Sequence, residues 1–313
     1  MNGFSQLHRF HEVAEIQAVV RTLGWDLCYT QLANGEFQVE AFETRIGDCV
    51  LFREKIDCPL VAHGSSTPVA FDVMWANAGS GRIFGKTFLP TQLVLFSPGC
   101  AIDAYAFPGA RTNHVQVPSE RLLAAAAERG IELLSAPRAL VVAPGIDRLE
   151  RFKNALHRSE EILERGDLAA WEAIESDLML TLVALFDRST HRGSGSEDSI
   201  TAGAEYAMAT SRHIHDGELD QLDIAAIAAD LGIGRYHLNR CFKAHYGVSV
   251  LEFTHYRRLH KARDLLMAQD EDLSVTEAAY SCGFNHLGRF AREYRKLFGE
   301  TPRQTLHRAV QQV

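Results

Sequence analysis

The last third of this 313-residue chain contains an internal repeat, and this repeat constrains the fold more than any other feature of the sequence. Seven positions recur 52 residues further on with the same chemical character, from Leu238 and its counterpart Phe290 to Ser249 and its counterpart Thr301. Just upstream, matching positions are separated by 51 residues, so the second copy holds one extra residue in its turn. Such a repeat is typical of two copies of one small structural unit.

Each copy has the pattern of a helix-turn-helix motif. A short alanine-rich helix is followed by a glycine-containing turn and by a second helix with a basic outer side. Apolar spacing between the copies predicts one long connecting helix. The predicted elements are the helices 223–231 and 235–245 of copy one, the connecting helix 249–268, and the helices 274–282 and 286–297 of copy two.

The second helix of copy one carries a row of side chains suited to reading DNA bases. Tyr236, Asn239, Arg240 and Lys243 follow the i, i+3, i+4, i+7 spacing of a single helical face. Arginine pairs with guanine through two hydrogen bonds, and asparagine pairs with adenine in the same way. We therefore predict that this face enters the major groove.

Copy two has fewer groups for hydrogen-bonded readout, because Gly288 and Ala291 stand where copy one has Tyr236 and Asn239. We expect it to contact phosphates through its arginines, and to contact thymine through Leu287. The predicted DNA-contacting residues are Arg235, Tyr236, Asn239, Arg240, Lys243, Ser249, His286, Leu287, Gly288, Arg289, Arg292, Arg295 and Thr301.

The charge distribution agrees with a nucleic-acid partner at this end of the chain. The whole chain has a net charge of -8, yet residues 235–313 hold 3 Lys and 10 Arg against 3 Asp and 5 Glu. This balance of +5 leaves -13 for the remainder. A basic segment joined to an acidic one indicates where a polyanion would dock.

The first 190 residues have a different pattern. Short alternating runs separated by turn residues predict strands over 25–32, 36–45, 49–53, 69–75, 92–97 and 101–107. Helices are predicted over 118–129, 145–165 and 167–188, the last two forming an antiparallel pair. The polar, Gly- and Ser-rich segment 191–199 has the composition of a linker.

These patterns predict an α+β chain. Residues 1–190 would form a β-sandwich or barrel with a helical pair, suited to effector binding and dimerisation, and residues 200–313 an all-α double helix-turn-helix domain. Six aromatic residues on the predicted strand segments are candidates for lining a small-molecule cavity, although core packing also explains them. They are Trp25, Phe37, Phe52, Trp75, Phe96 and Tyr105.

Sequence signals for other functions are weak. The first 190 residues contain no HxH pair that would suit a metal-dependent barrel, and the chain has no GxSxG or Walker sequence. We therefore predict no catalytic residue, no metal and no cofactor. Scattered cysteines, no apolar run of membrane-spanning length and no signal-peptide core in residues 1–10 predict a cytoplasmic protein without membrane contact.

Residues 200–313 resemble the DNA-binding domain of the AraC/XylS family of transcription regulators. The resemblance is carried by the segments 224–231, 238–243, 278–284, 290–295 and 298–302. It implies seven helices with two helix-turn-helix motifs, base contacts from Tyr236, Asn239 and Arg240, and further contacts from residues 288–292.

The N-terminal half is similar to the effector domains of regulators of the ethanolamine-utilisation type, through Trp25, Tyr29, Gln31-Leu32, Gly35 and Phe37, followed by 52–54. The two resemblances imply a transcription regulator of the activator type. It would bind double-stranded DNA, RNA polymerase and a small-molecule effector, and would form a homodimer. The alternative is a DNA-binding structural or interaction protein without an effector.

Overall fold

Two antiparallel β-sheets form the N-terminal half of the chain. The structure is a computed structural model, and it describes residues 5–78, 81–134, 137, 139–165, 168–191, 201–219, 221–268 and 273–311. The strands are β1 (Ser5–Phe10), β2 (Asp26–Gln31), β3 (Val39–Ile46), β4 (Cys49–Ile56), β5 (Leu60–Ser65), β6 (Ala70–Ala78), β7 (Gly81–Ile83), β8 (Lys86–Thr87), β9 (Leu93–Phe96), β10 (Ala101–Ala106), β11 (Ala110–Pro118) and β12 (Ala139–Val142).

The strands pair into a seven-stranded sheet with the order β1-β3-β4-β11-β6-β9-β12 and a five-stranded sheet with the order β2-β5-β10-β7-β8. The buried side chains between them include Phe52, Met74, Phe96 and Ile102. This is the predicted sandwich, followed by the predicted helical pair.

The helices are α1 (Val13–Thr22), α2 (Ser119–Ala127), α3 (Ile146–Arg165), α4 (Leu168–Phe186), α5 (Ala202–Asp216), α6 (Ile224–Asp230), α7 (Arg235–Tyr246), α8 (Val250–Met267), α9 (Val275–Ser281), α10 (Leu287–Phe298) and α11 (Pro302–Gln311). Helices α3 and α4 pack on each other and cover the seven-stranded sheet, where Phe152 meets Trp75 and Phe186 meets Phe71. No helix of the described residues is long and apolar enough to cross a membrane.

Several elements were not predicted from the sequence. From Asn113 onward strand β11 alternates, with Asn113, Val115 and Val117 buried. Helix α1 buries Val13, Ile16 and Val20 at helical spacing. Strands β1 and β5 were also missed, because their short runs mix polar and apolar residues. The linker predicted over 191–199 lies outside the described residues, except for His191.

The C-terminal half contains seven helices, α5 to α11, within the described residues, as the resemblance implied. One apolar cluster, which includes Leu238, Phe242 and Phe253, holds the first copy together, and a second cluster around Phe290 and Tyr294 holds the other copy. Helix α8 contributes to both clusters, through Phe253 to the first and Leu259 to the second. It therefore joins the two copies, as predicted.

The five-stranded sheet packs directly on the first helix-turn-helix copy. Leu32, Val61 and Tyr105 of the sandwich belong to the same apolar cluster as Phe242 and Tyr246 of α7. The buried Asp103 carboxylate accepts hydrogen bonds of 2.9 and 3.1 Å from the Tyr246 hydroxyl. Burial alone would raise the pKa of Asp103, but the nearby His245 and His63 imidazoles and the Tyr246 hydroxyl lower it.

Two further histidines in this contact must remain neutral. The backbone N–H of Gln31 donates to His260 Nε2 at 3.2 Å, so this nitrogen cannot carry a proton. Burial, together with Arg257 and Arg263, lowers the pKa of His260 to about 3. His215 stacks on His63 with ring centroids 4.6 Å apart, and burial lowers its pKa well below the usual value.

Ion pairs close the other end of the contact. Glu12, at the start of α1, accepts hydrogen bonds from Arg263 of α8 at 2.9 Å and from Arg308 of α11 at 2.8 Å. Glu300 pairs with the same two arginines, so the four side chains form one network. The sandwich thus touches both copies of the repeat.

We predict that acidification opens the contact between the two halves. A histidine whose pKa is lowered by docking stabilises the docked state above about pH 6.5, and this stabilisation is lost as the pH falls below that value. Small-angle scattering should show the radius of gyration growing between about pH 7.5 and 5, with far-UV circular dichroism unchanged.

The variant His260→Gln tests the assignment, because its amide oxygen can accept from Gln31 but does not titrate. It should move the opening to lower pH, whereas His157→Gln, at an exposed position on α3, should not. A wild-type radius of gyration that stays constant over this pH range would contradict the prediction.

Candidate nucleic-acid interface and effector cavity

Helix α7 projects its predicted reading face away from the protein core. It begins after Gly234, which caps it without a side chain, and ends at Gly247, whose φ of 78° lies in the left-handed region that favours glycine. Two of its own residues, Leu238 and Phe242, are fully buried in the core. These anchors leave the opposite side free: Arg235, Tyr236, Asn239, Arg240 and Lys243 are all exposed.

Asn239 has a structural contact that the sequence did not reveal. Its side-chain oxygen Oδ1 accepts a hydrogen bond of 3.1 Å from the backbone N–H of Val250, the first residue of α8. Pairing with adenine requires both the oxygen and the amide nitrogen. In this structure only the nitrogen is available, so Arg240 and Tyr236, which is 83% exposed, are the better placed groups.

Helix α10 has the same architecture with a more basic surface. It begins after His286, and Phe290, Tyr294 and Leu297 are buried on its inner side. Of the residues predicted on this helix, Gly288, Arg289, Arg292 and Arg295 are exposed, as is His286, and Leu287 is half-buried.

The arginines of α10 differ in their contacts. Arg289 Nε donates to Glu293 Oε1 at 2.8 Å, and Glu293 also pairs with His255 of α8. Within the described residues, Arg292 and Arg295 have no side-chain hydrogen bond or ion pair. These two guanidinium groups are therefore free to meet an anion.

Ser249 and Thr301, predicted to mark phosphate-binding helix starts, are occupied as caps. Ser249 and Glu252 form a capping box in which the Ser249 N–H donates to Glu252 at 2.7 Å. The Thr301 N–H likewise donates to Gln304 at 2.8 Å. Since these N–H groups already have acceptors, and the Thr301 hydroxyl itself donates to Gln304 at 2.9 Å, phosphate contact would fall to the Ser249 hydroxyl or to later N–H groups.

A cavity of about 120 Å³ lies between the two sheets of the sandwich. Four of the six aromatic residues predicted for an effector pocket line it, namely Trp25, Phe52, Phe96 and Tyr105. The other two do not. Trp75 points to the opposite face of β6, where it packs on Phe152, because side chains alternate along a strand. Phe37 lies in a separate cleft between the sandwich and α8 and α10.

The polar part of the cavity was missed by sequence reasoning. His114 of β11 lies 3.3 Å from Asp72 of β6 and 3.4 Å from Glu54 of β4. Burial opposes the charge on His114, but the two carboxylates raise its pKa to about 10, so the ring is protonated at neutral pH. The alternation of β11, with Val115 and Val117 as its apolar row, would have placed His114 on the solvent side, so no sequence signal placed it in the cavity.

Glu54 keeps one acceptor for a ligand. Its Oε2 accepts from Thr112 at 2.9 Å and faces His114, while Oε1 has no hydrogen-bond partner within the described residues. The side chain is only 9% exposed and lines the cavity. Among the described residues, no group of three or more His, Cys, Asp or Glu side chains is placed to hold a metal.

Comparison with known proteins locates the similarity in the helical half. A family model for a helix-turn-helix domain matches residues 227–308. The regulator GlxA of Rhizobium meliloti is 38% identical over 81 residues, which cover 26% of this chain and 24% of that protein. The transcriptional activator RhaS of Escherichia fergusonii is 30% identical over 156 residues, covering 50% of this chain and 53% of that protein.

This chain thus spans about half or less of the length of these two curated relatives. Among solved structures, a probable AraC family regulator from Rhodopseudomonas palustris is 35% identical, with a TM-score of 0.32, over 34% of this chain and 97% of the other. The matched region coincides with the two helix-turn-helix copies and their connecting helix. The double helix-turn-helix domain of this chain is of the type found in the AraC/XylS family of transcriptional regulators.

Proposed function

We propose that this chain regulates transcription by binding double-stranded DNA through α7 and α10, under the control of a small molecule held in the sandwich. The observation that carries the proposal is the pair of equivalent helices, each fixed on a buried apolar core and each presenting exposed basic side chains. Helices of this kind enter the major groove in helix-turn-helix proteins.

The two helices would contribute differently to recognition. Helix α7 offers Tyr236 and Arg240 for base contacts, whereas α10 offers glycine and alanine at the positions equivalent to Tyr236 and Asn239. Arg292 and Arg295 would then neutralise phosphates. Copy one would set sequence preference, and copy two would act mainly as an anchor.

The variant Arg240→Ala should lose affinity at one base position. A bidentate arginine–guanine contact contributes about 1–3 kcal/mol of discrimination, so binding to the preferred operator should fall while preference at that position relaxes. Competition binding with a set of singly substituted operators measures both effects. An equal loss on every sequence would make Arg240 a phosphate contact instead.

The variant Arg292→Ala should behave in the opposite way. Removing one phosphate contact should weaken binding to all sequences alike and reduce the slope of log K against log salt by about 1. Titrations at several salt concentrations, with the specific operator and with random DNA, measure this. A loss confined to one base pair would show that copy two also reads sequence.

The cavity supports control by an effector. Its aromatic walls suit a small, mostly apolar molecule, and the free Glu54 oxygen suits a ligand that donates a hydrogen bond at one end. For comparison, a cavity of about 150 Å³ accommodates benzene. Binding of RNA polymerase and formation of a homodimer, which would explain activation at a promoter, belong to the same proposal.

A thermal-shift screen of small hydrogen-bond donors tests the effector proposal, because a ligand that binds only the folded state raises the melting temperature. Glu54→Gln should abolish the shift produced by any hit, whereas Glu40→Gln, on the exposed side of β3, should retain it. If no compound stabilises the protein, the alternative of a DNA-organising protein without an effector is favoured.

A further inference from the structure

One wall of the cavity is also the surface that holds helix α7. Strands β7 and β10 are neighbours in the five-stranded sheet, and Arg82 lies opposite Tyr105 in their register. Ala104 lines the cavity, as do Arg82 and Tyr105 themselves. A ligand in the cavity would therefore touch the strands that carry these two side chains.

The same two side chains contact the last turn of α7. Arg82 Nη1 donates to the carbonyl oxygen of Ala244 at 2.6 Å, and to that of His245. The Tyr105 ring packs against the Tyr246 ring, with centroids 6.1 Å apart. The last carbonyl oxygens of a helix receive no hydrogen bond from an N–H group of the helix itself and lie at the negative end of its dipole. A guanidinium group that donates to them therefore stabilises the helix end.

The turn between β7 and β8 gives a second, independent contact between the five-stranded sheet and the helical half. Gly85 has a φ of 76°, and a Cβ atom built there would lie 2.4 Å from the Ala204 Cβ of α5 and 3.3 Å from the His245 ring. Only glycine permits so close an approach at that backbone conformation. The position of β7 and the position of α7 are therefore tied together at two points.

We propose that Arg82 and Tyr105 are positioning residues that couple the occupancy of the cavity to the recognition helix α7. The inference rests on the proposed function, in which the cavity binds an effector and α7 reads DNA. A ligand that displaces β7 and β10 changes the distance between Arg82 and the two carbonyl groups. The reading face of α7 is exposed while the helix is docked on the sandwich, so DNA can reach it in either state. The contact therefore acts on the orientation of α7 and on how well its last turn is ordered.

The first experiment removes the hydrogen bonds from Arg82 to the end of α7. Arg82→Ala should speed hydrogen exchange in the last turn of α7 and weaken operator binding by about 3- to 10-fold, although Arg82 is not among the predicted DNA contacts. Arg82→Lys should restore part of the loss, since the charge at the helix terminus is kept. Arg111→Ala, an exposed arginine on β11, is the matched control and should change neither readout.

The second experiment tests the coupling itself with a cavity-filling side chain in place of the unidentified effector. Ala104→Leu fills the cavity from β10, and Ala76→Leu fills it from β6 on the opposite sheet. Either should alter exchange in α7 and operator affinity when Arg82 is present, and neither should do so in the Arg82→Ala background. The double-mutant cycle measures this difference directly.

Two outcomes would overturn the coupling. Cavity filling could have no effect on α7 in folded variants, or it could have the same effect with and without Arg82. Either result, with operator binding by the wild-type chain intact, would leave the proposed function standing. Failure of the wild-type chain to bind any operator would instead contradict the proposed function.

Discussion

The hydrogen bonds between the Tyr246 hydroxyl and the Asp103 carboxylate fix how the two halves of the chain meet. Both groups are buried, and a buried carboxylate without a hydrogen-bond donor would lower the stability of the contact. The Asp103 carboxylate therefore requires the Tyr246 hydroxyl beside it. Tyr246 is also the last residue of α7 and packs on Phe242 and Phe253. One polar contact therefore links the sandwich to the core of the first helix-turn-helix copy.

The helical half could be predicted closely from the sequence, because its signals are local. Glycine turns, capping residues such as Ser274 with Glu277, and apolar positions three and four residues apart each depend on neighbours in the chain. The structure confirms the helices of both copies and the connecting helix. The repeat helped, since each copy supported the interpretation of the other.

The cavity and the contact between the halves could be predicted only in part, because they depend on residues far apart in the chain. Glu54, Asp72 and His114 come from three strands, and their separation in sequence gives no sign of their contact. Aromatic residues on strands were a useful guide, but the face to which each one points depends on register, which placed Trp75 outside. The bond from Val250 to Asn239 could not be predicted either, since it spans a turn whose geometry the composition does not reveal, and Asn239 as a DNA contact stays a prediction.

The bond from Asn239 to α8 also bears on how the binding preference of such a protein can change. Helix α8 begins at the residue that Asn239 holds and extends to the core of the second copy. Under the proposed function, a substitution at Asn239 that suited a new base would at the same time release the start of the helix that joins the two copies. If α7 reads DNA as proposed, new operators should be acquired more readily through Tyr236 or Arg240. A copy of α7 transferred from a relative would then need a matching start of α8.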